Sequence, residues 1–245
     1  MNLSIIIPAY NESLYIYQTI KDINIFFSIK NISYEIIIVS DGSTDKTEHI
    51  IKKIAKDMSN VIPIHYKKNR GKGFAVKIGI EKARGEDILF MDADHSVNIR
   101  EYLKFKKYNE DILIASIENN EVSINDKSKK WRKVLRKISK VIPRYVLSIQ
   151  VKDTQRGFKL FKKVHKDMIL EKMTEDGFGF DMELLVIAQE NNLTIKEIFV
   201  DWDNPQRNNI HLKHYIDVLK SISRIFWKKN NNFYKSYIDD KFLLM

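Results

Sequence analysis

Asp92 and Asp94 stand two apart, directly after the apolar run Ile88-Leu89-Phe90-Met91. In an extended segment side chains two apart share a face, so both carboxylates can approach one divalent ion that bridges them to a diphosphate. That suits a reaction whose leaving group is a nucleotide diphosphate, because a bound cation stabilises the charge that develops as the bond breaks. An Asp-x-Asp pair also occurs as two solvated turn acids, and its place behind a buried strand is what favours the metal. Two further polar clusters follow apolar runs: Pro8-Ala9-Tyr10-Asn11-Glu12 after Leu3 to Ile7, and Asp41-Gly42-Ser43 after Glu35 to Val39. Asp41 can accept a hydrogen bond from a base or ribose while Gly42 lets backbone approach a ligand. The same residues also read as a helix start with Ser43 or Thr44 as its cap, and Asn11 as a turn residue. Asn69-Arg70-Gly71-Lys72-Gly73 can offer Lys72 and backbone amides to phosphates near a helix start, or form a solvated glycine turn. It is no dinucleotide fingerprint, since position 76 is Val76 and polar residues precede it; a P-loop is also absent from the sequence.

The elements that must carry these clusters alternate. Short β-branched runs at Leu3 to Ile7, Glu35 to Val39, Val61 to Tyr66 and Asp87 to Met91 predict strands. Between them Leu14, Tyr17, Ile20, Ile23 or Asn24 and Phe27, then Ile50, Ile51, Ile54 and Met58, then Phe74 to Ala83, recur at helical spacing. The alternation predicts an α/β fold, a mainly parallel sheet with helices on both faces, whose ligands bind at the carboxyl ends of the strands. The polar clusters should then meet on one rim. After Ile117 the alternation gives way to a basic segment reaching Arg144 and a glycine-containing stretch from Asp153 to Phe161. A helix near Phe180 to Gln189 and a strand near Thr194 to Val200 follow. One catalytic domain over 1–205 is expected, with a helical extension over 206–245.

The chain has no cysteine, so disulfides and thiolate sites are excluded and any metal is held by oxygen or imidazole. That favours a hard cation, Mg2+ or Mn2+, and a cytoplasmic setting. Neither a signal peptide nor a membrane-spanning run of about 18 apolar residues is expected. The net charge of +10 is concentrated: residues 127–144 hold nine Lys or Arg and no acid. Trp131, Val134, Leu135, Ile138, Val141 and Ile142 recur there at three and four, the pattern of a helix lying on an anionic membrane surface. It is also the pattern of a solvated face over the domain's own core. Leu212, Tyr215, Ile216, Leu219, Ile222 and Phe226 form a second stripe, beside Trp227, Lys228 and Lys229, that packs on the domain or docks beside the first.

Taken together, Ile5-Ile6-Ile7-Pro8-Ala9-Tyr10-Asn11-Glu12, Asp41-Gly42-Ser43-Thr44-Asp45, Gly71-Lys72-Gly73 and Asp92-Ala93-Asp94 resemble the nucleotide-sugar half of family 2 glycosyltransferases of the GT-A fold. Asp153-Thr154-Gln155-Arg156-Gly157-Phe158-Lys159-Leu160-Phe161 and Gly179-Phe180-Asp181-Met182-Glu183-Leu184-Leu185 resemble its dolichyl-phosphate β-glucosyltransferase and polyprenyl-phosphate branch. The resemblance implies inverting transfer of a hexose, glucose first, from a UDP-sugar to a polyprenyl phosphate. By motif, Pro8, Ala9, Tyr10, Glu12, Asp41 and Gly42 would hold the nucleotide. Lys72 would lie by the uridine or diphosphate, and Asp92 with Asp94 would organise metal and sugar. Asp153 would sit at the reacting phosphate, or simply fix the turn at Gly157.

A lipid phosphate is already an anion at neutral pH, so positioning and leaving-group stabilisation carry the rate. Arg156, Lys159 and Arg207 are the candidate cations for it, and Asp181 a candidate for metal or acceptor. Where family members often have a Gly-x-Ser-Lys-like element, this chain has Asn204-Pro205-Gln206-Arg207-Asn208-Asn209, which leaves the contacts there open. The Gln-x-x-Arg-Trp element of processive synthases is missing, which favours single transfer. The enzyme is expected to work as a peripheral protein on the cytoplasmic membrane face, with a membrane-anchored protein among its candidate partners. GDP-mannose as donor and a soluble or protein acceptor are the alternatives. A nucleic-acid-binding protein would leave every motif but the basic segment unexplained, so no nucleic-acid partner is expected.

Overall fold

The computed structural model describes residues 1–30, 32–117, 141–154, 156–203 and 212–236. Their strands are β1 Leu3–Ala9, β2 Tyr34–Asp41, β3 Val61–Tyr66, β4 Asp87–Met91, β5 Ile112–Ser116, β6 Phe158–Lys162 and β7 Ile195–Phe199. They form one sheet in the order β3-β2-β1-β4-β6-β5-β7. β1 lies parallel to β2 and β4, β2 to β3, and β5 to β7. β6 runs antiparallel to both its neighbours, β4 and β5.

Strands covered on both sides need apolar residues on both sides. Ile6, Ile37, Val39, Ile88 and Phe90 pack with α3 (Lys72–Lys82) and the helix Phe180–Glu190. Their neighbours Ile5, Ile7, Ile36, Ile38, Leu89 and Met91 pack with α1 (Ile16–Ser28) and α2 (Thr47–Asp57). The expected α/β fold with helices on both faces is therefore what forms.

Several details differ from the sequence expectation. β5 and β6 were not foreseen: β5 lies just before the pattern fails, and the alternation of β6 is obscured by Lys159, fully buried on a covered face. In α1 the buried stripe is Ile16, Thr19, Ile20, Ile23, Phe26 and Phe27, while Leu14 and Tyr17 are 85% and 54% exposed. Two apolar stripes overlap in that helix, and the Thr19 hydroxyl ties one of them inward by donating to the Ala93 carbonyl at 2.8 Å. α2 starts at Thr47 without a side-chain cap from Ser43 or Thr44, whose polar groups turn toward the end of β1 instead.

The C-terminal helix Leu212–Asn230 buries Val218, Ser221, Ile222 and Ile225, whereas Ile216, Leu219 and Phe226 of the expected stripe are exposed. The basic segment 127–144 lies outside the described residues up to position 140; residues 141–146 are helical. Among the described residues no helix is long and apolar enough to cross a membrane.

Candidate active site

The chain steps outward from β1 through β2 to β3, then returns to β4 on the other side of β1. Such a reversal opens a crevice at the carboxyl ends of the two strands that flank it. Because β6 is antiparallel, its first residue, Phe158, pairs with Met91 at the end of β4. Asp153, Arg156 and Gly157 thus reach the same rim as Asp92, joining the three clusters expected there.

The loops after β1 and β2 are knotted together. Asn11, with a left-handed φ of 56°, accepts the Thr44 amide on Oδ1 at 2.8 Å and donates its own amide to Ser43 Oγ at 3.2 Å. The Glu12 amide donates to Thr47 Oγ1 at 2.7 Å. Asp41, at the end of β2, takes the Arg70 and Gly71 amides on its two carboxylate oxygens at 2.7 and 2.9 Å. It therefore fixes the turn that precedes Lys72, with lone pairs left over for a base or ribose. Gly42 is required by contact: its φ is 66°, and a Cβ there would stand 2.5 Å from the Asn69 nitrogen. Pro8 and Ala9 are buried inside β1, so they set the strand end rather than present side chains; Tyr10 and Asn11 are the exposed residues of that cluster.

Across the crevice the Lys72 ammonium sits 2.6 Å from Asp92 Oδ1. Burial works against its charge, but the carboxylates of Asp92, Asp181 and Asp94 outweigh that and raise its pKa, so it is cationic. The other oxygen of Asp92 packs on Gly157, where a Cβ would be only 1.9 Å away. The Asp92 amide also donates to the Gly157 carbonyl at 2.9 Å. Asp94 Oδ1 accepts the Ser96 amide at 3.1 Å.

Behind this layer Lys159 is bonded to Asp181 and donates to the Arg156 carbonyl at 2.6 Å. Both Lys159 and Asp181 are buried, so Lys159 is not the surface cation anticipated for an acceptor. Burial and the Asp92 charge hold the Asp181 carboxyl above the usual carboxylate range, against the pull of Lys159 and Lys72. Arg156 donates through Nε to Asp153 at 2.7 Å and lies over the Trp202 ring at 4.7 Å. Glu197 holds the Lys152 and Asp153 amides at 2.8 and 3.0 Å. Gly157 could have been suspected from its place beside Asp153; Glu197 carries no signal in sequence. Arg207 lies outside the described residues.

Among the described residues no three acids or histidines converge to hold a metal by themselves. Asp92 and Asp94 still fit Mg2+ or Mn2+, ions bound in such sites by one or two carboxylates plus substrate phosphates and water. Both are hard oxygen donors at one strand end, beside a lysine able to share the diphosphate charge.

A profile described as "Glycosyl transferase family 2" matches residues 4–168. A dolichyl-phosphate beta-glucosyltransferase of Trichomonas vaginalis is 31% identical over 247 residues, covering 93% of this chain and 74% of that protein. One from Dictyostelium discoideum is 32% identical over 246 residues, covering 91% and 73%. The Homo sapiens protein of that name is 29% identical over 218 residues, covering 82% and 67%. Glucosyl-3-phosphoglycerate synthase from Mycobacterium tuberculosis with uridine-diphosphate is similar at a TM-score of 0.66 and 16% identity, over 92% of this chain and 80% of that one. The same enzyme with Mn2+, uridine-diphosphate-glucose and phosphoglyceric acid gives 0.64 at 16% identity, over 92% and 80%. These neighbours are GT-A glycosyltransferases and their likeness shows that fold. With the crevice, the strand-end clusters and the profile agreeing over most of its length, this chain belongs to glycosyl transferase family 2.

Proposed function

We propose that this enzyme transfers glucose from UDP-glucose to a dolichyl-type polyprenyl phosphate, with inversion at the anomeric carbon and with Mg2+ or Mn2+ at Asp92 and Asp94. The carrying observation is Lys72 held on Asp92 at the β1/β4 crevice. It is supported by relatives named dolichyl-phosphate beta-glucosyltransferases that align over most of the chain. UDP-glucose is an α-linked donor, so a β-linked product requires a single displacement with inversion.

An oxygen of the lipid phosphate forms the new bond to the anomeric carbon as the bond to the UDP oxygen breaks. The acceptor is already anionic, so no strong base is needed; what is needed is alignment and a sink for the charge on the departing diphosphate. The Lys72 ammonium serves as that sink in part, and Asp41 keeps its turn in place through the Arg70 and Gly71 amides. When bound, the divalent ion supplies the remaining charge neutralisation. Arg156, backed by Asp153 and Trp202, is the cation we assign to the acceptor phosphate. We assign the reaction to the cytoplasmic surface of a membrane, where a lipid acceptor is met.

The test is release of nucleotide diphosphate from a panel of UDP- and GDP-sugars, with each metal, with and without a short polyprenyl phosphate in detergent. Lipid-dependent UDP release from UDP-glucose is expected. GDP release from GDP-mannose would replace the donor, and release indifferent to the lipid would replace the acceptor.

A further inference from the structure

Residues 173–179 join the helix Lys166–Lys172 to the helix Phe180–Glu190 and close over the turn that carries Lys72. The Phe74 amide donates to the Asp176 carbonyl at 3.0 Å. Gly71, at φ +109°, and Gly73 are where the loop backbone rests. A Cβ at Gly71 would stand 2.4 Å from the Asp176 carbonyl oxygen, and one at Gly73 would stand 2.2 Å from that of Glu175.

The loop is itself held from its far side by the end of the chain. Arg224 clasps Glu175 with Nε at 2.8 Å and Nη2 at 2.6 Å, one to each carboxylate oxygen. Glu175 is 4% exposed, and a carboxylate so buried depends on its partners. Glu183, fully buried, takes the Thr174 and Glu175 amides at 2.8 Å each, the Thr174 hydroxyl, and the Tyr234 hydroxyl at 2.8 Å. Ser221 fills the space beside Gly179, where a Cβ would stand 2.5 Å from its own Cβ.

We propose that Arg224 and Tyr234 are positioning residues for glycosyl transfer. Through Glu175 and Glu183 they press the 173–179 loop onto Gly71-Lys72-Gly73 and so keep the Lys72 ammonium where the donor diphosphate needs it. The C-terminal helix is then part of the catalytic unit rather than an appendage beyond residue 205. The inference rests on taking the Lys72 rim as the donor site.

The experiment compares the full chain with Arg224→Ala, Arg224→Lys, Tyr234→Phe, Lys72→Ala and the double variant Arg224→Ala/Lys72→Ala. It reads amide hydrogen exchange over residues 70–76, and UDP affinity by calorimetry with Mg2+. Arg224→Ala should speed exchange over 70–76 and weaken UDP binding, each by about tenfold, the size expected of directly coupled groups. Arg224→Lys, which retains charge without the fork, should recover part of both, and Tyr234→Phe should act in the same direction less strongly.

Because Arg224 acts through Lys72, its effect on UDP affinity should vanish beside Lys72→Ala. Unchanged exchange over 70–76 in folded Arg224→Ala overturns the proposal, as does a loss of UDP affinity that persists undiminished beside Lys72→Ala. Should Arg224→Ala not fold, Arg224→Lys carries the same two readouts. A wild-type chain that binds no UDP refutes the donor assignment, and the exchange measurement then decides the brace by itself.

Discussion

Two buried carboxylates at opposite ends of the sheet, Glu35 and Asp181, are held in opposite ways. At the amino-terminal end of the parallel strands, Glu35 is 1% exposed, and burial pushes its pKa up. The Ser4 hydroxyl at 2.6 Å, the Arg84 amide at 2.8 Å and the Arg84 guanidinium at 2.9 and 2.6 Å outweigh that and hold it below the usual range. Asp111, just before β5, is satisfied in the same way by Thr194 and His165.

At the carboxyl end Asp181, as buried as Glu35, stays above the usual range although Lys159 is bonded to it. There Asp92, Asp94 and Asp181 face two ammonium groups, the partly exposed Lys72 and the fully buried Lys159. Glu35 is completed by donors that outweigh its burial, whereas the burial of Asp181 is not cancelled by Lys159 and Lys72. Perturbed groups of this kind beside a crevice mark where proteins exchange local stability for function.

The contrast breaks most sharply at Asp92. Asp92→Asn should lower kcat for lipid-dependent UDP release by about a hundredfold to a thousandfold, the range seen when a charge-stabilising group is removed. The melting temperature should stay within a few degrees of wild type, because the residue lies on the crevice rim rather than in the core. Turnover near wild type would remove Asp92 from the reaction. Gly157→Ala tests the same contact from behind. Its methyl group would lie 1.9 Å from Asp92 Oδ2, so the carboxylate must leave its place beside Lys72. A fall of about tenfold to a hundredfold in kcat is expected from such a misplacement. Normal kcat would mean that the position of Asp92 is not critical.

How much of this could be read in the sequence follows from how local each cause is. The first four strands and the rim clusters were legible because each strand is a short β-branched run that stops at polar residues, and chain order alone brings those stops together. β6 was not, because Lys159 interrupts its apolar pattern, and the partner that makes the lysine tolerable, Asp181, lies 22 residues on. The α1 and C-terminal faces were misjudged where two apolar stripes overlap. The choice between them is made by Thr19 reaching Ala93 and by Ser221 fitting beside Gly179. Lys159 as an acceptor cation failed as an expectation for a related reason: sequence gives a charge but not the depth at which it is neutralised.

Asp111 offers the smallest effect and the clearest sharpening of the contrast, since it is held by donors as Glu35 is and should matter to stability without touching turnover. Burial tends to raise its pKa, but hydrogen bonds from the Thr194 hydroxyl and amide and from His165 outweigh this and lower it to about 2. A carboxylate whose pKa is lower folded than unfolded stabilises the fold above the unfolded value, near 3.8, and that contribution disappears as the pH falls to about 2. A shift of that size corresponds to about 2 kcal/mol, or a melting temperature lower by about 4–8 °C for a domain of this length. Asp111→Asn should therefore melt lower than wild type at pH 7, with unchanged kcat, and the gap should close between pH 4 and pH 2. A gap that persists at pH 2 would mean that the residue stabilises by shape rather than by charge, and Asp111 would then not belong with Glu35 on its side of the contrast.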